Sequence, residues 1–166
     1  MNRPHAQRGF TLLIAVIFAS VILAFAIALG SLGYKQSILS SAALQSNSAF
    51  YAADSALECA LYFDQQQQLF AYSTFNPASP PTFSCDGMNS TVVAGSACKD
   101  TAPCSAGQNR VSEQLSLDGG THCAVVTVYK TSAGTNNAIY TIGYNIACAA
   151  IGTGPRFVAR GLEAHY

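Results

Sequence analysis

Charge is scarce in this chain. Only 10% of its 166 residues are Asp, Glu, Lys or Arg, eight basic against eight acidic, where ordinary globular domains carry about 25%. That balance gives no global basic field, which argues against a strongly electrostatic nucleic-acid binder. With half of the residues hydrophobic, the composition also excludes a disordered chain, which needs high charge and low hydrophobicity. Compact catalytic signatures are missing too: no H-E-x-x-H, G-x-S-x-G, P-loop or G-x-G-x-x-G pattern occurs. The chain therefore reads as a non-enzyme with no cofactor, and a secreted enzyme ranks last among the alternatives. Paired C-x-x-C motifs are absent, which turns the six cysteines away from zinc or redox chemistry. The length allows one modest domain and an appendage.

What is present is concentrated at the start. Residues 10–34 form a run of 25 without a single charge. A membrane-spanning helix needs about 20 apolar residues at about 1.5 Å each, and this run supplies them. A short leader carrying Arg3 and Arg8 precedes it, and Lys35 follows, so the positive-inside bias keeps the N-terminus cytoplasmic and sends the remainder outward. A cleaved secretory signal is the competitor. It fits poorly, because the run is too long and no A-x-A-like site precedes a polar mature start.

Arg8-Gly9-Phe10-Thr11-Leu12-Leu13 resembles the type III signal of type IV prepilins and pseudopilins, in which a basic leader ends in Gly before a Phe-Thr-Leu start and an apolar helix. The likeness covers about the first 65 residues. It implies cleavage by a prepilin peptidase after Gly9, N-methylation of Phe10, and retention of the helix. Removing Arg3 and Arg8 from eight basic residues leaves six against eight acidic. Major pilins of this family carry Glu at the fifth mature position, where this chain has Ile14. Their carboxylate is thought to meet the positive N-terminus of an adjacent subunit inside an apolar core, where an unpaired charge would cost several kcal/mol. A subunit at the filament tip has no neighbour above it to neutralise, so Ile14 points to a minor, tip-located or priming subunit, unless it reflects a divergent lineage. Residues 47–58 also resemble the A-F-x-A-A-E-x-A-L-E segment of PilX-like minor pilins, with Asp54 in place of their usual Glu.

Helical periodicity continues past the apolar run, with Leu39, Ala43, Phe50, Ala53, Leu57 and Leu61 three, four or seven residues apart. This stripe can face a sheet, and the small residues of 47–58 permit close packing. From residue 10 to about 69 the helix would measure about 90 Å. Gly30 and Gly33 lower propensity by up to about 1 kcal/mol each, so a bend or local melting is expected there. Gln65 to Gln68 reads as a polar last turn. Three prolines among residues 76–81 then end helical character. Residues 82–120 read as loop-rich with two short strands, around 90–94 and 110–117. Residues 123–130, 138–147 and 156–166 carry β-branched and aromatic residues and predict an antiparallel meander. The expected fold class is therefore α+β: a leader (1–9), a transmembrane or filament-core helix (10–34), its amphipathic extension (35–70), and an extracytoplasmic loop-rich β head (71–166). The helix on its sheet is also the shape of a pilin head.

Six cysteines in so short a chain favour disulfides and an oxidising compartment. They allow 15 complete pairings. The expected ones are Cys98 with Cys104 as a local clamp, Cys123 with Cys148 between neighbouring strands, and Cys59 with Cys85 tethering the helix beyond the proline loop. His122 and His165 read as structural or exposed, Asp86-Gly87 and Asp118-Gly119-Gly120 as turns rather than calcium loops, and Asp54 and Glu58 as a solvated helix face or a contact between subunits. Asn89-Ser90-Thr91 matches a short, common glycosylation pattern. Lys99, Arg110, Lys130, Arg156 and Arg160 would bind DNA or another anion if the fold gathered them, which spacing alone does not show.

The expected function is structural: a membrane-inserted precursor that becomes a minor subunit of a type IV pilus or a related secretion pseudopilus. Its expected partners are the prepilin peptidase, other pilin subunits, the membrane, and an inner-membrane assembly platform driven by a cytoplasmic ATPase. The rival is a permanently membrane-anchored extracellular binding module, for adhesion or DNA uptake, with no filament.

Overall fold

The computed structural model describes residues 8–153 and 157–166. The leader up to residue 7, with Arg3, and Arg156 at the expected start of the last strand lie outside the described residues. One helix, α1 (Arg8–Gln67), runs for 60 residues. It continues through Gly30 and Gly33 without the expected local melting. A penalty of about 1 kcal/mol per glycine is small against the Leu, Ala and Ile residues on either side, and no proline removes a hydrogen bond. Gln68 stops the helix by taking a left-handed φ of 50°.

The chain divides into two compact units, Met1–Ala43 and Leu44–Tyr166. In the first, every described side chain from Phe10 onward is exposed. The second joins the rest of α1 to the strands, so the chain is α+β with the helix packed on antiparallel sheet.

A two-residue hairpin pairs β1 (Ser84–Cys85) with β2 (Met88–Asn89). The main sheet is built from β3 (Thr91–Val92), β4 (Cys98–Lys99), β5 (Gln108–Leu117), β6 (His122–Thr131), β7 (Ala138–Tyr144) and β8 (Ala159–His165), all antiparallel. Its order is β3-β5-β6-β7-β8, with β4 sharing the β3 side of β5. The last three strands form the expected meander. The region before them differs from expectation: β5 spans ten residues and occupies the sheet's interior. Its inward positions, Asn109, Val111, Glu113, Leu115 and Leu117, are all buried, but two are polar, which hides the alternation from a reading by hydrophobicity. At the β5–β6 corner, Asp118, Gly119 and Gly120 all take positive φ, a left-handed path that glycine follows without a Cβ clash.

The helix meets the sheet through alanine. Ala52, Ala56 and Ala60 are buried in one cluster with Val111, Leu115, Ala124, Val126, Val128 and Ile139, with Phe70, Phe75 and Phe83 closing the core from the connecting segment, while Ala49 and Ala53 are buried beside Gly143 of β7. The expected stripe is corrected here. Leu39, Ala43 and Phe50 are exposed, and Leu57 and Leu61 only flank the core. The reason is the closeness of approach: a Cβ on Gly143 of β7 would collide with the Ala49 carbonyl oxygen and the Ala53 amide nitrogen. Two backbones this near leave room for methyl groups only.

Candidate assembly helix and disulfide-held head

The processing motif lies within the helical span, with Gly9 inside α1. Phe10 is 68% exposed; Thr11, Leu12 and Leu13 are exposed as well, and Ile14 is 37% exposed. Ile14 brings an aliphatic branch where a carboxylate would ionise, and the first acidic residue along α1 is Asp54. The two serine hydroxyls within the run are satisfied internally: Ser20 donates to the Ile17 carbonyl and Ser31 to the Ala28 carbonyl, each at 2.8 Å. A helix that meets its own polar demands can stay out of water. Among the described residues, α1 alone is long and apolar enough to cross a membrane.

The head is tied at three points, by the pairs the sequence suggested. Cys59 of α1 joins Cys85 of β1, Cys98 joins Cys104, and Cys123 of β6 joins Cys148, with Cα separations of 6.4, 5.7 and 4.8 Å. No free cysteine remains among the described residues. The 98–104 loop is braced further. Asp100 accepts the Tyr72 hydroxyl at 2.6 Å and the Gly107 amide at 2.7 Å, and these bonds hold its carboxyl below the usual carboxylate range. The same contact raises the Tyr72 phenol. Lys99 donates to the Tyr72 and Phe75 carbonyls at 2.6 and 3.3 Å.

The basic residues each have local partners. Lys99 is held as above, Arg110 lies 6.0 Å over the Tyr129 ring, Lys130 donates to Asp64 Oδ2 at 2.6 Å, and Arg160 donates to Ser46 Oγ at 2.7 Å. Arg156 is outside the described residues. Asp54 is partly exposed and Glu58 exposed, neither in an ion pair among the described residues. His122 sits 3.4 Å from Asp118 Oδ2, and exposed His165 is 3.9 Å from Glu163. The two Asp-Gly turns meet, the Asp118 amide donating to Asp86 Oδ2 at 2.7 Å. No group of three His, Cys, Asp or Glu among the described residues could hold a metal ion. Asn89 is exposed at the end of β2.

Two buried acids escaped the sequence reading. Asp64 continues the buried line Ala52, Ala56, Ala60 at steps of four, and that spacing was the available signal. Its Oδ2 accepts both Lys130 and the Tyr166 hydroxyl. Burial, then this hydrogen bond, pushes the Tyr166 phenol up. Glu113 occupies a core slot of β5, 1% exposed, and neither carboxyl oxygen has a hydrogen-bond partner in the described protein. Desolvation raises its pKa to about 7; the Ser90 hydroxyl nearby opposes the shift without reaching hydrogen-bond geometry.

One unit carries the exposed apolar helix, and the other holds the disulfide-linked sheet and the rest of α1. Against this geometry, no protein-family model, no curated protein and no solved structure matches the chain.

Proposed function

We propose that the chain is the precursor of a minor subunit of a type IV pilus or related pseudopilus, cut after Gly9 and N-methylated on Phe10. The observation that carries the reading is the described run from Phe10 to Leu29, exposed throughout, uncharged, and with its serine hydroxyl bonded back to the helix. In water that surface would be costly, so it needs an apolar cover. Lipid supplies one before assembly and the helices of neighbouring subunits supply another after it. The helix thus exchanges one apolar environment for another while the head stays outside. Disulfides in the head agree with an oxidising compartment there. Ile14 supports a position at the tip or in priming, where no incoming ammonium has to be neutralised.

Intact mass and N-terminal sequencing, with and without a co-expressed prepilin peptidase, test the reading. A peptidase-dependent N-methyl-Phe10 terminus is the expected result. An uncut Met1 under both conditions would replace it with the permanently anchored extracellular module.

A further inference from the structure

The two edges of the main sheet are finished differently. On one side β3 and β4 are two residues long each, and a very short strand is one way of blunting an edge against further pairing. On the other side β8 runs for seven residues without a proline or a lysine, and among the described residues it pairs with β7 alone. The register shows which of its backbone groups are left over. Tyr166 and Asn137 exchange both backbone hydrogen bonds at 3.1 Å, and the Asn145 amide donates to the Val158 carbonyl at 3.3 Å. In an antiparallel pair every second residue turns its N–H and C=O toward the partner strand. Arg160, Leu162 and Ala164 therefore bond to β7, while Ala159, Gly161, Glu163 and His165, all exposed, turn theirs away from it.

The side chains beside that edge select what fits it. Gly161 lies opposite Ile142, and a Cβ there would meet nothing within 4 Å except the Thr141 carbonyl oxygen at 3.6 Å. Ile142 is left 43% exposed, and a cleft of about 550 Å³ opens beside it, lined also by Tyr140, Leu162 and Glu163. An aromatic ring on a neighbouring strand covers a glycine gap of this kind. On the same face as Gly161, the Glu163 side chain is 61% exposed, with His165 at 3.9 Å its one ionic neighbour among the described residues. We propose that β8 takes up an extended segment of another protein, paired antiparallel, with a basic side chain opposite Glu163 and, two residues later, an aromatic one opposite Gly161. Main-chain hydrogen bonds along the edge supply the affinity, and the alternate side chains choose the partner. The strands of a second copy do not carry that order: two positions after Lys99, Arg110, Lys130 and Arg160 stand Thr101, Ser112, Ser132 and Leu162.

The test is amide hydrogen exchange read by NMR on the full chain in detergent micelles, with the capped peptide Thr-Thr-Lys-Val-Phe-Thr-Thr at about 1 mM, suited to sub-millimolar affinity. Slowing of exchange at Gly161 and Glu163 by at least about threefold is expected, since the peptide would cover their outward amides. Gly161→Pro removes an amide that points away from β7, a change that edge strands tolerate, and should abolish the protection at Glu163 while leaving the amides of β5 and β6 unchanged. Because proline can still disturb the strand, Glu163→Lys is the second variant. It should weaken binding of this peptide about threefold and restore it for the same peptide with glutamate in place of lysine. No protection at 1 mM, protection at Glu163 undiminished in folded Gly161→Pro, or a charge swap that restores nothing would overturn the proposal. Protection of these amides without peptide, rising with protein concentration, would overturn it as well, by giving the edge to a second copy. None of these results bears on processing after Gly9, which is read from the N-terminus.

Discussion

Residues 10–43 and residues 44–67 belong to the same α-helix, and they reverse the usual relation between hydrophobicity and burial. The first stretch carries Phe10, Leu12, Ile22, Phe25 and Leu29, each more than 60% exposed. The second buries side chains no larger than a methyl group at Ala49, Ala53, Ala56 and Ala60. Large apolar residues pointing outward mark a surface whose solvent is something other than water, whereas small ones pointing inward mark a surface whose partner is already present. Composition shows that both stretches can be helical. Only side-chain size along one face tells which is finished and which still needs a cover.

The sharpest way to break this contrast is a charge in the first stretch. Val21→Asp should cost about 3 kcal/mol of membrane insertion and abolish retention of the full chain in carbonate-washed membranes. Unchanged retention would mean the outward surface serves something other than lipid. The matching challenge to the second stretch is Gly143→Val. With no room for a Cβ against Ala49 and Ala53, it should destabilise the head by about 4 kcal/mol or more in denaturant unfolding, and a small effect would show that sheet and helix can separate freely.

Unlinking the helix from β1 comes next. Cys59→Ser paired with Cys85→Ser opens a loop whose ends are 26 residues apart, and the chain-entropy argument gives a loss of about 3.5 kcal/mol. Glu113 adds a pH signature. Its folded pKa of about 7 stands above the ordinary 4.5, so the folded state holds the proton more tightly. Stability is then greatest below pH 4.5, falls as pH rises to 7, and is flat above. The linked loss is about 3 kcal/mol at most. Glu113→Gln should flatten that limb in unfolding curves taken across pH, and a wild-type curve already flat there would contradict a buried neutral acid. The smallest effect is expected from Leu39→Ala, which should move head stability by less than about 0.5 kcal/mol, because Leu39 is exposed and lies outside the head unit.

Much of this was legible beforehand, and the residues show why the rest was not. Residues 10–34 announced themselves by length and absence of charge, and β6 and β7 by their Val, Ile, Thr and Tyr. The helix's inner face was harder, since alanine is a good helix former on any face and Leu39, Leu57 and Leu61 offered a louder pattern. In β5, Asn109 and Glu113 fill slots where a core strand is expected to be apolar, so the longest stretch of an apparent loop region passed for something short. The bond from Lys130 to Asp64 joins residues 66 apart, and no local pattern predicts it. At the candidate site, the cysteine pairs were legible and the motif named Gly9 and Phe10 as candidates, but Asp64 was hidden, because its polar identity broke the apolar periodicity that would have marked it.

The close seating of Gly143 between Ala49 and Ala53 has a mechanical reading. A strand with side chains at every position could settle on a helix in several registers, but here one residue lacks the atom that would foul, and its neighbours do not. The seam works as a keyed joint: a slide of the sheet by two positions, which keeps the same face toward the helix, would bring the Thr141 side chain to the place only Gly143 can occupy. The sheet therefore cannot rotate about residues 49–53 or creep along them without unseating, and any pull or twist applied to the head's strands passes directly into that stretch of helix rather than being lost in slippage.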